Sequence, residues 1–207
     1  MQTIAIQRDT RFSPHSVEKD YDILAAVAQP LNAKIIAENN LKAHHLAEAN
    51  IILNMGRLPH TLQMIERYAA QKCVVNPTNG IRNCQRSLIT KLMRNANIPI
   101  PPQEGNKGYW LKRGDEAAQS ENDIIYCANK KQLQQAKTAF SKRGITNTVV
   151  QAHVEGDLVK FYGVNNTHFF RYYYPTDDGI TKFADEQHNG TAHHFPFQWK
   201  ALEATAN

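Results

Sequence analysis

The chain has 207 residues, 42% of them hydrophobic and 21% charged, with a net charge of +5. That is enough apolar content for a real core and excludes a disordered chain. No window approaches the run of about 20 apolar residues that a membrane span needs, and the N-terminus has no basic segment followed by an apolar one, so a soluble, cytoplasmic protein is expected. The positive balance suits an anionic ligand, but the lysines and arginines are scattered. Basic pairs such as Lys130-Lys131 and Lys142-Arg143 read as solvated helix faces, so nucleic acid is not the expected partner. Cys73, Cys84 and Cys127 have no metal-ligand spacing and read as reduced, mostly buried thiols.

In chain order, residues 3–6 form a short apolar strand. Ser16 is placed to cap a helix whose apolar residues Tyr21, Ile23, Leu24, Val27 and Leu31 recur at helical spacing. Strands follow at 33–37, 51–53 and 73–75, with a helix after Pro59 carrying Leu62, Ile65 and Tyr68. This alternation predicts a parallel sheet flanked by helices, with ligands expected beyond the carboxyl ends of the strands. Asn54, Arg57 and Asn76 lie at such ends, and turn and capping chemistry is the favoured reading for them.

Asn79 is placed to cap a helix running to about residue 97, with Leu88, Leu92 and Met93 on its apolar face. The run Ile98-Pro99-Ile100-Pro101-Pro102 stops it, because proline cannot continue a helix and biases its predecessor to extended structure. This marks a domain junction. Strands at 109–112 and 123–127 flank a polar loop, Asn129 caps a helix over 130–142, and strands at 148–151, 158–164 and 168–174 follow. Runs of strands around one helix predict an antiparallel α+β unit.

Three features of this second half converge. A strand delivers Lys112 into the loop Arg113-Gly114-Asp115, where a lysine can place a point charge on phosphate oxygens. The segment 149–154 (VVQAHV) is placed to offer main-chain groups to a base edge; as an isolated stretch it reads rather as a plain buried strand. Glu155-Gly156-Asp157 then puts a carboxylate beside it, and alternation sends Lys160 and Phe161 to opposite faces of the next strand.

The order of these pieces resembles the ATP-grasp superfamily. It consists of Asn76-Pro77-Thr78-Asn79-Gly80-Ile81-Arg82-Asn83-Cys84-Gln85-Arg86, the Ile-Pro-Ile-Pro break, the strand ending in Lys112, and then VVQAHVEGDLVKFYGV. In texture it is similar to the ribosomal-protein glutamate ligase and glutathione synthetase branches. The strand at 158–164 is also similar to that of the inositol trisphosphate kinases. The resemblance implies an α/β fold with an N-terminal parallel-sheet domain (1–77), a linking helix and proline-rich junction (78–102), and an α+β ATP-grasp part with antiparallel sheet (103–154 and 155–207). It further implies ATP as ligand. Lys112 then matches the lysine on the α- and β-phosphates, Gln151, His153 and Val154 the adenine linker, Asp157 the ribose carboxylate, and Lys160 a basic residue at the phosphate end. Arg86 falls where many members have a first phosphate lysine, with the charge kept and the geometry changed.

Two departures accompany the resemblance. The loop after Lys112, RGDEAAQSEN, has one glycine where many relatives have a glycine-rich flap, so its grip on the γ-phosphate would differ or depend on Gln119 and Ser120. The late strands that supply magnesium ligands, usually ending in an acidic-x-Asn pattern, have no counterpart before KALEATAN, and metal ligands are expected beyond Asn207. A truncated chain, a fragment or half of a split protein is therefore expected, inactive by itself, leaving open a second copy or a complementing C-terminal fragment as partner. His188, His193 and His194 lack zinc-ligand spacing. The resemblance places Arg171, His188 and Asn189 in a loop over the reaction centre, where they could meet a substrate anion; a plain surface loop is the alternative. The implied activity is an ATP-dependent carboxylate–amine ligase acting through an acyl-phosphate on a small molecule or peptide. A kinase of a small hydroxyl substrate and a non-catalytic nucleotide-binding module are the other readings.

Overall fold

The computed structural model describes residues 1–14, 16–116, 118, 120–164, 167–177, 188–196 and 198–206. The chain divides into two units, Met1–Gln85 and Arg86–Asn207.

In the first unit, β1 (Thr3–Gln7), β2 (Lys34–Ala37), β3 (Ile51–Asn54) and β4 (Cys73–Val75) form a parallel sheet of order β2-β1-β3-β4. Helices α1 (Val17–Ala28), α2 (Ala43–Glu48) and α3 (Pro59–Ala69) make the crossovers that parallel pairing requires. Alternation along β1 divides the core. Ile4 and Ile6 pack with Ile36, Leu46, Ile52 and Ile65, while Ala5 packs with Leu24, Ala28 and Leu53. The sheet is thus covered on both faces, which suits its continuous apolar strands.

The inward stripe of α1 differs from the expected one. Asp20, Leu24 and Ala28 are buried, while Tyr21, Ile23, Val27 and Leu31 are exposed. An aspartate fits the buried stripe because Arg8 Nε donates to its Oδ2 at 2.7 Å. Ser16 is the N-cap residue, but its hydroxyl makes no capping bond. At the sheet's carboxyl edge, Asn54 Nδ2 donates to the Asn76 carbonyl and Asn76 Nδ2 to the Asn54 carbonyl, each at 3.1 Å. Asn76 takes φ +60°, which asparagine tolerates in turns. Both residues therefore do the expected turn chemistry.

The single helix expected from Asn79 to about residue 97 is two helices, α4 (Thr78–Asn83), with Pro77 as N-cap, and α5 (Arg86–Asn95). The second is fastened at its start, where Ser87 gives both its main-chain N–H and its hydroxyl to the Gly114 carbonyl. In the second unit, β5 (Tyr109–Arg113) is the central strand of an antiparallel sheet, between β6 (Ile124–Cys127) and β7 (Thr148–Ala152). Helix α6 (Lys130–Lys142) begins at Asn129, whose side chain accepts from the Gln132 N–H at 3.0 Å, as the cap reading requires. Strands β8 (Lys160–Gly163) and β9 (Phe170–Tyr173) form a separate antiparallel hairpin, shorter than the expected strands. Helix α7 (Trp199–Ala206) packs against β8. Of the cysteines, Cys127 is buried but Cys73 and Cys84 are exposed, which corrects the expectation of mostly buried thiols. Among the described residues, no helix is long and apolar enough to cross a membrane.

Candidate functional site

Strand β5 sorts its side chains by alternation. Tyr109 and Leu111 face α6, where they pack with Cys127, Leu133, Ala136, Phe140 and Ile145. Trp110 and Lys112 take the other face. The register sets Trp110 between Tyr126 and Gln151, and Lys112 between Ile124 and Val149. The sequence-predicted residues Lys112 and Gln151 thus share one sheet face, with Trp110 at the centre of it.

Four rings gather on that face. Trp110 meets Tyr126 edge-on at 5.2 Å between centroids, and His153 lies 6.1 Å from Trp110 and 5.8 Å from Tyr126. His188 closes the group at 3.9 Å from Tyr126 and 4.7 Å from His153. Trp110 Nε1 donates to His153 Nδ1 at 3.1 Å. Burial first, then the charge of His188, lowers the pKa of His153 and keeps its ring neutral. Gly108 makes room for the cluster. Its φ is +94°, and a Cβ there would fall 2.4 Å from Tyr126 Oη, which itself donates to the Lys107 carbonyl at 2.8 Å. Val154, next along the predicted linker, is exposed.

Cations collect at the carboxyl end of β5. Lys112 is half-buried, with Nζ 6.0 Å from the Trp110 ring centroid. Arg86, the first residue of α5, donates from Nη1 to the Arg113 carbonyl at 2.7 Å, which brings it to the residue beside Lys112. Arg113 is itself committed to carboxylates. It bonds Asp115 at 2.7 Å and lies 3.8 Å from both Glu116 and the fully buried Asp123. Asp123 also pairs with Arg143, so Arg143 belongs to a buried network and is not a plain solvated residue. The Arg113 guanidinium holds the Asp115 carboxyl below its usual range. Lys112 and Arg86 thus lie close together at this end of β5, while Arg113 organises the loop behind them.

The remaining expected residues lie further along. Asp157 accepts from the His193 N–H at 2.7 Å and the Phe195 N–H at 2.8 Å, and these bonds put its pKa below the ordinary carboxylate value. Its carboxylate fastens the segment that follows His188. Lys160 is half-buried on β8, paired in register with Tyr173. Arg171 is exposed on β9, where it donates to the Phe170 carbonyl at 3.3 Å and sits 5.7 Å from the Phe169 ring. Asn189 is half-buried. Ser120 caps the turn before β6 and bonds Asp123, whereas Gln119 lies outside the described residues. The ring cluster is the feature that residue-by-residue reading missed. Counting back two positions from Lys112 to Trp110 is the signal that would have found part of it.

Among the described residues, no group of three or more His, Cys, Asp or Glu side chains could hold a metal ion. A cavity of about 170 Å³ adjoins Val149 and Gln151 and is lined also by Ser87, Thr90, Lys91 and Arg94. A larger one of about 470 Å³, lined by Glu104, Tyr109, Lys130, Leu133, Lys137 and Val150, lies on the α6 side, across the sheet from Lys112. Lys112 and the four rings are better indicators of a site than that volume, because they bring charge and stacking surface together.

No family model matches the chain, and no curated protein matches it. Among solved structures, D-cycloserine synthetase DcsG is similar with a TM-score of 0.50 at 9% identity, over 73% of this chain and 59% of that one. N5-carboxyaminoimidazole ribonucleotide synthetase from Thermus thermophilus is similar with a TM-score of 0.52 at 12% identity, over 84% of this chain and 53% of that one. The match thus spans somewhat more than half the length of each. At such identities the likeness is one of fold alone: a four-stranded parallel sheet followed by separate antiparallel sheets.

Proposed function

We propose that the second unit binds ATP and that the protein is an ATP-dependent carboxylate–amine ligase. The observation that carries this reading is the shared face of β5, where Lys112 stands beside stacking rings and Arg86 is tied to the adjoining residue. In this reading Lys112 and Arg86 bind the inner phosphates. Gln151, His153 and Val154 receive the adenine edge, Asp157 takes the ribose hydroxyls, and Lys160 lies toward the phosphate end. Arg171 and Asn189 would meet the substrate carboxylate. That carboxylate attacks the γ-phosphorus and ADP leaves. The nitrogen of an amine then attacks the acyl carbon and phosphate leaves. The chain's own residues contribute by positioning and by cancelling charge. Magnesium would arrive with the nucleotide.

Calorimetric titration with ATP tests the binding half. The chain is expected to bind, and Lys112→Ala to weaken binding by about tenfold or more, the worth of a charge-assisted phosphate contact. No binding by the unsubstituted chain, or equal binding by the variant, rules the reading out. Phosphate release that requires both a carboxylate and an amine separates a ligase from a kinase acting on a hydroxyl.

A further inference from the structure

The parallel sheet of the first unit reverses its strand order between β1 and β3. The loops leaving the carboxyl ends of two such strands diverge, and a crevice opens between them. Here those loops carry Arg8, directly after β1, and Arg57, three residues after β3.

The two arginines are in different states. Arg8 is paired with Asp20. Arg57 is half-buried, and among the described residues its guanidinium makes no hydrogen bond and no ion pair. The neighbouring carboxylates are already engaged. Glu38 accepts from the Asp9 N–H through Oε1, and from the Arg57 and Leu58 N–H groups through Oε2 at 2.9 Å each. Burial and the charge of Arg8 both oppose the charge on Arg57, and Cys84, Asp20 and Glu38 offset this only from a distance. A desolvated guanidinium beside a second one, with no carboxylate of its own, is a cost that a bound anion would offset.

The first turn of α3, which follows that loop, holds a second unmet polar group. Thr61 is fully buried, and its hydroxyl has no hydrogen-bond partner among the described residues. It adjoins the residue before Arg57, since a Cβ on Gly56 would fall 2.8 Å from Thr61 Cγ2 and 3.0 Å from Glu38 Oε2. Only glycine lets the loop close this tightly beneath Arg57.

We infer that Arg57, with Arg8 beside it, forms an oxyanion site in the β1–β3 crevice that takes the carboxylate or phosphate group of a small molecule. A planar guanidinium suits either group through paired N–H donors. The inference is independent of the nucleotide reading of the second unit and stands or falls separately from it.

The test is a titration of the full chain at constant ionic strength with inorganic phosphate and, separately, with acetate. The Arg57 Nε–H and Gly56 amide resonances report binding. A saturable shift with at least one anion is expected, and the tighter curve names the source as phosphate or carboxylate. Arg57→Gln is expected to weaken the Gly56 response by about tenfold or more, the loss of a bidentate charge-assisted contact. A linear drift with both anions, or an unchanged curve in Arg57→Gln, overturns the site. Should that variant fail to fold, phenylglyoxal labelling of the unsubstituted chain decides. Phosphate or acetate must slow modification of Arg57 more than that of the exposed Arg67, and equal slowing or none overturns the site.

Discussion

Trp110 Nε1 donates to His153 Nδ1 at 3.1 Å, joining the central strand of the small sheet to the end of the predicted adenine linker. An indole N–H can only donate, so Nδ1 is the acceptor and neutral His153 carries its proton on Nε2. Protonation would replace that lone pair with a second N–H and break the bond. The folded state therefore favours the neutral ring, in line with the lowered pKa. Below about pH 6.5 the unfolded chain binds more protons than the folded one. The contribution to stability is thus complete above that pH and is lost as pH falls through the folded value. The Trp110 indole N–H resonance is expected to titrate with a midpoint below about 6.5. His188→Ala should move that midpoint upward, since it removes both a like charge and part of the burial. A resonance indifferent to acid, or a midpoint that ignores His188, contradicts this account.

Gly114 sits where three segments meet. Its N–H donates to the Asn147 carbonyl at 2.9 Å, its carbonyl accepts from Ser87, and Asn147 Nδ2 donates to Ser87 Oγ at 3.1 Å. A Cβ on Gly114 would fall 2.4 Å from Asn147 Oδ1 and 3.1 Å from its carbonyl oxygen. Gly114→Ala is expected to cost about 1–3 kcal/mol, the range for overpacking. Asn147→Ala in the same chain should recover part of this, because it removes the nearer clash but leaves the main-chain one. Urea denaturation of the four chains of that cycle measures the coupling, and strict additivity would exclude the contact as the cause.

Much of this fold is legible in the sequence because local chemistry and tertiary placement agree. Asn129 before a helical run predicts a cap and makes one. Apolar runs separated by helices predict a parallel sheet, and β1 to β4 form it. The misreadings occur where a distant partner decides. Helix α5 starts at Arg86 because Ser87 is held by Gly114, 27 residues away, and no local propensity announces that break. The buried stripe of α1 hides behind Asp20, whose charge is met by Arg8. At the candidate site, Lys112 and Gln151 are visible as strand positions. The packing of His188 onto Tyr126 joins a late loop to an edge strand, and periodicity carries no trace of it.

Asp157 fastens the segment beyond His188 through two main-chain N–H groups. An amide in its place has one oxygen and presents N–H donors on the other side, so at least one bond is lost. Asp157→Asn is expected to raise hydrogen exchange at His193 and Phe195 while leaving β5 protected. Acid should act in the same direction. The carboxyl is held below its usual range, so the clasp is complete above the unfolded value of about 3.9 and is lost as pH falls through the folded one. Unchanged exchange at both amides in the variant would show that something other than this carboxylate holds the segment.

Glu38 makes the corresponding prediction for the first unit. Its buried carboxylate satisfies the N–H groups of Asp9, Arg57 and Leu58, which follow β1 and β3 and precede α3. Nothing apolar can replace it without leaving donors unpaired. Glu38→Ala is expected to cost about 3 kcal/mol or more, at roughly 1–3 kcal/mol for each buried group left unmet. Glu38→Gln should cost less. Its single oxygen can keep the Arg57 and Leu58 bonds, while its NH₂ then opposes the Asp9 N–H donor to donor. Urea denaturation followed by the protection of the Ile6 and Leu53 amides ranks the two. The order Ala worse than Gln is required if the carboxylate acts by satisfying main-chain donors. The reverse order would mean that cavity and charge effects outweigh them.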